Sequence, residues 1–175
     1  MDSNKKNIFY EQISEKVSKK DYKIGIIGMG YVGLPLALAF CKKDIITYGF
    51  DINKSIIKSL KSCISYINHI KSDEIKKYVH NNKLIPSGNL ENINNVDVII
   101  ICVPTPLNKN KEPDLTFIKN SLDSIKNFLK KGQILILEST TYPGTTDEIL
   151  KPFIEREGLE IGKDFFLVYS PERED

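Results

Sequence analysis

Short, continuous runs of apolar residues alternate along the chain with longer stretches of helical periodicity. The apolar runs predict five strands, at residues 23–27, 46–50, 98–103, 134–138 and 165–169, and a weaker sixth near residues 84–85. Strands that are apolar throughout, rather than at alternate positions, are typical of a parallel sheet covered on both faces. The strand pattern therefore predicts a buried parallel sheet.

The stretches between the strands carry helix signals. Their periodicity predicts helices at residues 32–41, 54–62, 73–81, 115–130 and 146–157. Asn53, Ser72 and Asp114 each precede a helical stretch and are predicted to cap it. Thr145 and Glu148 have the spacing of a reciprocal capping box at the start of the last helix. The alternation indicates an α/β fold: a doubly wound parallel sheet of about six strands with helices on both faces.

The first twenty residues follow a different pattern. They are mostly polar, and three of their apolar residues, Phe9, Ile13 and Val17, recur every four positions. This spacing predicts a short amphipathic helix that leans on the rest of the chain. We therefore divide the chain into an amino-terminal helical extension, residues 1–20, and one domain, residues 21–175.

Composition and charge narrow the range of partners. Of the 175 residues, 41% are hydrophobic and 27% charged, as in an ordinary globular protein. The net charge is +2, and only Arg156 and Arg173 among the 25 basic residues are arginines. We therefore expect neither nucleic acid nor a membrane surface as a partner. The longest apolar run, residues 98–103, is far shorter than the roughly 20 residues of a membrane-spanning helix.

The cysteines and histidines give no sign of a metal site. Cys41, Cys63 and Cys102 lie far apart without zinc-binding spacing, so reduced thiols in a cytoplasmic protein are expected. Cys102 lies in an apolar strand and is predicted to be a buried core thiol rather than a nucleophile. His69 and His80 lie in polar, lysine-rich stretches and are predicted to be surface residues.

A glycine-rich motif carries the strongest chemical signal. Gly28-Met29-Gly30-Tyr31-Val32-Gly33 follows a predicted strand and opens a helix, the context of the dinucleotide-binding fingerprint in Rossmann-type folds. Gly28 would permit a tight turn, Gly30 the approach of a pyrophosphate, and Gly33 close helix packing. Met29 is counted among the cofactor contacts. The N–H groups of Tyr31 and Val32 would face the phosphates. The alternative, a glycine-rich turn without a ligand, is disfavoured by this context.

An acidic residue at the end of the second strand selects the cofactor. Asp51 lies 18 positions after Gly33. A carboxylate there accepts hydrogen bonds from ribose hydroxyls and repels a 2′-phosphate. No arginine precedes Arg156, so the guanidinium that often binds the 2′-phosphate of NADP is missing near this site. Lys54 is the residue that could partly replace it. NAD is therefore the predicted cofactor, ahead of NADP.

Two later loops are predicted to line the same crevice, because ligands bind outside the carboxyl ends of the strands in an open α/β sheet. Val103, Pro104 and Thr105 follow the fourth strand, and the Thr105 hydroxyl is a candidate cofactor contact. A turn that simply ends the strand is the alternative. Ser139 and Thr140 follow the fifth strand and are further candidates.

Four motifs in order resemble those of the UDP-glucose/UDP-N-acetylhexosamine 6-dehydrogenase family. They are residues 28–37, Val103-Pro104-Thr105-Pro106, residues 138–146 and Ser170-Pro171-Glu172-Arg173, and the resemblance spans residues 22–175. The last motif and residues 113–116 are most similar to the bacterial branch acting on UDP-N-acetylglucosamine or UDP-N-acetylmannosamine. The resemblance implies oxidation of the sugar C6 alcohol to a carboxylate with two NAD, for surface polysaccharide such as capsule or O-antigen.

The resemblance also implies roles for particular residues. Thr140 matches a threonine near the nicotinamide and the catalytic water, and Glu172 matches a glutamate at the edge of the substrate pocket that assists hydrolysis. Glu172 and Arg173 are accordingly the predicted contacts to the UDP-sugar substrate. Asp51 and Thr105 match cofactor contacts.

The chain departs from the family's pattern because several parts of that pattern have no match in it. The family's catalytic cysteine lies in a glycine-rich segment, and neither it nor the catalytic lysine, the central dimerising helix or the UDP-sugar-binding domain has a match here. We therefore expect the NAD-binding part of a larger homo-oligomeric enzyme, inactive by itself. Two alternatives stay open: an NAD-dependent dehydrogenase of another substrate class, such as a hydroxyacid, and a nucleotide-binding module without chemistry.

Overall fold

The six predicted strands form one parallel sheet. The computed structural model describes residues 7–109 and 111–171, and its sheet has the order β3-β2-β1-β4-β5-β6 with every neighbouring pair parallel. The strands are β1 Lys23–Ile27, β2 Ile46–Phe50, β3 Leu84–Ser87, β4 Val98–Ile101, β5 Ile134–Glu138 and β6 Phe166–Ser170. The chain starts in the middle of the sheet, builds outward to β3, and then crosses back to build the other half. The predicted doubly wound fold is confirmed.

Helices cover both faces of the sheet. They are α1 Ile8–Lys19, α2 Gly33–Lys42, α3 Lys54–Lys61, α4 Ser72–His80, α5 Thr116–Ile125 and α6 Lys151–Arg156. Short 3₁₀ segments occupy Leu90–Asn95 and Lys126–Phe128, and a π-helical turn, Thr146–Leu150, leads into α6. The helix predicted for residues 115–130 is therefore shorter than expected, because it changes to a 3₁₀ turn after Ile125.

The strand β4 shows why the apolar runs are continuous. Val98 and Ile100 belong to the core beneath α2, α3 and α4, whereas Ile99 and Ile101 belong to the core beneath α5 and α6. All four side chains are buried. Successive side chains of a strand point to opposite faces, so a strand covered on both faces is apolar at every position.

Two of the residues predicted as helix caps bond to the first turn of a helix, although Asp114 lies one residue before Leu115, the cap position of α5. The Asn53 side chain accepts a hydrogen bond from the Ser55 N–H at 3.0 Å at the start of α3. The Asp114 carboxylate accepts one from the Thr116 N–H at 2.9 Å at the start of α5. These hydrogen bonds with Thr116 lower the pKa of Asp114, because they favour the charged carboxylate.

The other two cap predictions are wrong. Ser72 is the first residue of α4, and its hydroxyl accepts a hydrogen bond from the Ser65 N–H at 3.0 Å instead. Thr145 is buried in a helical conformation, and its hydroxyl donates backward to the Tyr142 carbonyl at 2.8 Å. The Glu148 carboxylate accepts from the Tyr142 hydroxyl at 3.0 Å, so the predicted capping box does not form.

The helix α1 lies against the amino ends of β1 and β4. Ile13 is buried, and the Lys16 ammonium pairs with the Asp97 carboxylate at 2.5 Å. The same carboxylate accepts a hydrogen bond from the Lys23 N–H at 2.9 Å, where β1 begins. The predicted packing of this helix is confirmed, although Val17 is 47% exposed and the ion pair, rather than an apolar contact, anchors its last turns.

Asp97→Ala should lower the free energy of unfolding by about 1–3 kcal/mol, since it removes a charge-assisted hydrogen bond to the backbone and the ion pair with Lys16. Urea denaturation followed by circular dichroism measures the loss. Glu15→Ala is the matched control, because Glu15 pairs with Lys19 on an exposed helix surface and should change stability by no more than about 0.5 kcal/mol. Equal effects of the two variants would contradict the anchoring role of Asp97.

Candidate nucleotide-binding site

The glycine-rich turn lies at the carboxyl end of β1. This strand has β2 on one side and β4 on the other, so the direction in which the chain builds the sheet reverses here. Gly28 has a φ of +95°, and a Cβ atom there would lie 2.5 Å from the Cys102 carbonyl oxygen. A Cβ atom on Gly33 would lie 1.8 Å from the Gly28 carbonyl oxygen. Side chains are therefore excluded at both positions, and α2 begins in direct contact with the backbone of the turn.

The middle of this turn is open. A Cβ atom on Gly30 would have no protein atom within 4 Å. Across residues 7–109 and 111–171, the backbone N–H groups of Gly30, Tyr31 and Val32 donate no hydrogen bond to the protein. No side chain caps the start of α2, and its first turn has no acidic residue. These N–H groups, at the positive end of a helix dipole, suit an anionic group.

Asp51 faces the turn from the end of β2. One carboxylate oxygen accepts from the Met29 N–H at 2.8 Å, and the other accepts from the Asn53 N–H at 2.8 Å. The carboxylate is thereby fixed in orientation, and each oxygen keeps a further acceptor site for a ligand hydroxyl. Ile52, which follows, is 87% exposed, and Lys54 begins α3 with an exposed side chain.

The loops after β4 and β5 are joined to each other. The Thr105 hydroxyl donates to the Thr140 carbonyl at 2.6 Å, and the Ser139 hydroxyl donates to the Val103 carbonyl at 2.9 Å. The sequence predicts these hydroxyls as cofactor contacts, and in the structure each hydroxyl bonds one loop of the rim to the other. Pro104 and Thr140 are exposed on this rim.

Two further residues at the site are not among the predicted contacts. The Tyr66 hydroxyl donates to the Met29 carbonyl at 2.5 Å, although Tyr66 lies outside every motif. The Thr141 hydroxyl oxygen is buried without a hydrogen-bond partner in the described part of the chain. Thr141 lies within the motif at residues 138–146, but Tyr66 has no sequence signal, because only the tertiary fold brings it to the glycine-rich turn.

Two predicted site residues remain, together with the cysteines and histidines that the sequence analysis placed outside the site. Glu172 and Arg173 lie outside the described residues. Cys41 and Cys102 are buried, as expected of core thiols, and burial raises the pKa of Cys41 to about 11. His69 and His80 are exposed.

No group of three or more His, Cys, Asp or Glu side chains in residues 7–109 and 111–171 is placed to hold a metal ion. Over the same residues, no helix combines the length and the apolar character needed to cross a membrane.

A 3-2-1-4-5-6 parallel sheet with a glycine-rich turn at its switch point and a carboxylate at the end of β2 defines a dinucleotide-binding domain. The chain belongs to the UDP-glucose/GDP-mannose dehydrogenase family, whose NAD-binding domain matches residues 22–175. It is therefore an NAD-binding domain, and α1 precedes the matched region.

Relatives of known activity agree with this family. The UDP-N-acetyl-D-glucosamine 6-dehydrogenase of Pseudomonas aeruginosa is 43% identical over 155 residues, which cover 88% of this chain and 36% of the relative. The UDP-N-acetyl-mannosamine dehydrogenase Cap5O of Staphylococcus aureus superposes with a TM-score of 0.80 at 39% identity, covering 86% of this chain and 37% of that chain. GDP-mannose dehydrogenase of Pseudomonas aeruginosa gives a TM-score of 0.81 at 26% identity, with coverage of 86% and 36%. The chain thus spans about a third of the length of the relatives it matches.

Gly33→Ala and Gly30→Ala should differ sharply in stability. The Gly33 substitution forces backbone to move and should cost about 3 kcal/mol or more, whereas the Gly30 substitution enters open space and should stay within about 0.5 kcal/mol. Thermal and urea unfolding of both variants measures the difference. Equal stabilities would contradict the close approach of α2 to the turn.

Proposed function

We propose that this chain is the cofactor-binding part of a nucleotide-sugar dehydrogenase that oxidises the C6 alcohol of a UDP-N-acetylhexosamine to the carboxylate with two NAD, for surface polysaccharide synthesis. The observation that carries the proposal is the combination of the family's NAD-binding domain with 43% and 39% identity to dehydrogenases named for UDP-N-acetylglucosamine and UDP-N-acetylmannosamine. Cys41, Cys63 and Cys102 form no disulfide within residues 7–109 and 111–171, which suits a reducing compartment, so we place the enzyme in the cytoplasm.

The glycine-rich turn is proposed to hold the pyrophosphate of NAD. Gly30 leaves room for the phosphates, and the N–H groups of Gly30, Tyr31 and Val32 are available to donate to their oxygens. The contribution of Gly28 and Gly33 is indirect, since both allow the backbone to reach this arrangement. Backbone N–H groups at the start of a helix can bind the negative charge of the phosphates without a cationic side chain.

Asp51 is proposed to hold the adenosine ribose and to exclude NADP. Its carboxylate is already fixed by the Met29 and Asn53 N–H groups, so little ordering is needed when ribose hydroxyls bind. A 2′-phosphate would meet this negative charge, and only the exposed Lys54 stands nearby in sequence to offset it. Exposed Ile52 offers an apolar surface for an adenine ring.

The rim formed by Val103, Pro104, Thr105, Ser139 and Thr140 is proposed to border the nicotinamide. When bound, NAD accepts the hydride that the sugar C6 releases. The chain's own contribution is orientation: the Thr105 hydroxyl fixes the Thr140 carbonyl, which sets the position of exposed Thr140. Thr140 is the proposed catalytic residue within the described part, and Glu172 and Arg173 are proposed to contact the substrate.

The chain alone is proposed to be inactive. A catalytic thiol must be accessible and readily deprotonated. Cys41 and Cys102 are buried, and burial raises the pKa of Cys41 to about 11, the opposite of activation. The nucleophile, the UDP-sugar site and the homo-oligomer interface have no match in the sequence of this chain, and they are proposed to reside in other parts of the whole enzyme.

Gly30→Val should abolish measurable NAD binding while the chain stays folded, because its side chain would occupy the space proposed for the pyrophosphate. Isothermal titration calorimetry with NAD measures the loss, and circular dichroism confirms folding. Gly88→Val is the matched control, since a Cβ atom on Gly88 also has no neighbour within 4 Å and Gly88 follows β3 at the far edge of the sheet. Unchanged NAD affinity in folded Gly30→Val would refute this site.

Asp51→Asn should lower NAD affinity about tenfold, since it removes a charge-assisted hydrogen bond to ribose. It should also narrow the gap between NAD and NADP, because the negative charge is lost. Titrations of Asp51→Asn and of the unaltered chain, each with NAD and with NADP, measure the two effects. An unchanged NAD-to-NADP ratio would contradict the specificity role of Asp51.

Substrate class is tested on the complete product of the gene that contains this sequence. UDP-N-acetylglucosamine or UDP-N-acetylmannosamine should yield two NADH per sugar, measured by absorbance. UDP-glucose and a 2-hydroxyacid are assayed separately at the same concentration for comparison. The 175-residue chain should give no NADH with any of them. NADH from the hydroxyacid alone would replace the proposed function with a different dehydrogenase activity.

A further inference from the structure

Met29 is held by side chains from two other elements. The Asp51 carboxylate accepts a hydrogen bond from its N–H at 2.8 Å, and the Tyr66 hydroxyl donates one to its carbonyl at 2.5 Å. Its own side chain is fully buried and packs so closely on Gly49 that a Cβ atom there would lie 2.7 Å from the methionine Cε. Both polar backbone atoms and the side chain of Met29 are therefore fixed.

Fixing the Met29 carbonyl also fixes the next N–H. The Met29 carbonyl and the Gly30 N–H belong to one planar trans peptide, in which they point in opposite directions. Since Tyr66 draws the carbonyl toward the segment 62–71, between α3 and α4, the Gly30 N–H must point away from that segment. Gly30 imposes little restriction of its own, because glycine turns more freely than any other residue.

The segment 62–71 is built to present Tyr66. The Ser72 hydroxyl accepts a hydrogen bond from the Ser65 N–H, and the Ser65 hydroxyl donates to the Ile67 carbonyl, both at 3.0 Å. Ile67 and Ile70 are buried in the core beneath α2. Tyr66 is consequently held between a hydrogen-bonded turn and buried isoleucines, with its ring against the same core.

The tyrosine hydroxyl stays protonated at ordinary pH. Burial of the ring, with a further contribution from the negative charge of Asp51, holds the pKa of Tyr66 well above its usual range. A neutral phenol is a hydrogen-bond donor, so it can maintain its bond to the Met29 carbonyl at ordinary pH.

We propose that Tyr66 is a positioning residue for the dinucleotide: through the Met29 carbonyl it orients the Gly30 N–H toward the pyrophosphate. The inference rests on the proposed function of the glycine-rich turn. Phenylalanine at this position would keep the packing of the ring but leave the peptide between Met29 and Gly30 free to rotate. The loss should then fall on the phosphates and spare the adenosine.

Tyr66→Phe should weaken NAD and ADP-ribose about tenfold, the scale of one lost hydrogen bond, and leave adenosine within about twofold. Calorimetry measures the affinities for NAD and ADP-ribose, and the NMR shifts of backbone amides measure the affinity for adenosine. The carbonyl ¹³C resonance of Met29 should move upfield in the free variant. Tyr48→Phe is the matched control, because Tyr48 is half-buried on β2 with its ring stacked on Phe50, and it should change none of these values.

A folded Tyr66→Phe chain that binds NAD within about twofold of the unaltered chain overturns the inference and leaves the cofactor site intact. An equal loss for adenosine and ADP-ribose also overturns it, because the tyrosine would then act through Asp51 or through general stability. If the unaltered chain binds neither NAD nor ADP-ribose, the proposed cofactor site is wrong, and the proposed role of Tyr66 is wrong with it.

Discussion

The structure around the crevice depends on two places where backbone meets backbone with no side chain between them. A Cβ atom on Gly33 would lie 1.8 Å from the Gly28 carbonyl, and one on Gly28 would lie 2.5 Å from the Cys102 carbonyl. These approaches bring the start of α2 and the end of β4 directly onto the turn after β1. The positive end of α2 is thereby placed at the switch point of the sheet, where a parallel α/β fold leaves a crevice.

The start of α2, at the same turn, has no side-chain cap, unlike the starts of α1 and α3. Asn7 and Asn53 cap α1 and α3 with side-chain oxygens, whereas Val32 precedes α2 and offers none. An uncapped helix start leaves N–H groups that need an acceptor. At most positions in a protein this lowers stability. At the mouth of a crevice it supplies donors for a phosphate group, and the open space beside Gly30 supplies the room.

The parts of the fold that follow from local pattern are predictable, and the parts that depend on contacts between distant segments are not. The continuous apolar run that contains β4 predicts a strand covered on both faces, and the glycine spacing with Asp51 predicts where the crevice lies. The bond from Tyr66 to Met29 joins residues 37 positions apart, and the bond from Thr105 to Thr140 joins residues 35 apart. The capping box at Thr145 fails for a related reason: the threonine is buried, and its hydroxyl satisfies the turn before it.

The hydrogen bonds around the crevice, at the glycine-rich turn and at the rim, share one chemical form. In each of them, a side chain bonds to the backbone of another loop. Asp51 and Tyr66 hold Met29, Thr105 holds Thr140, and Ser139 holds Val103. A rim held in this way needs little reordering when a ligand binds, so more of the interaction energy remains for affinity. Such a rim suits a ligand that binds in one orientation. Cys102, whose carbonyl oxygen lies against Gly28, is itself buried. The hydrogen bonds of Asp51 and Thr105 to the backbone therefore favour ordered binding of a dinucleotide at this crevice.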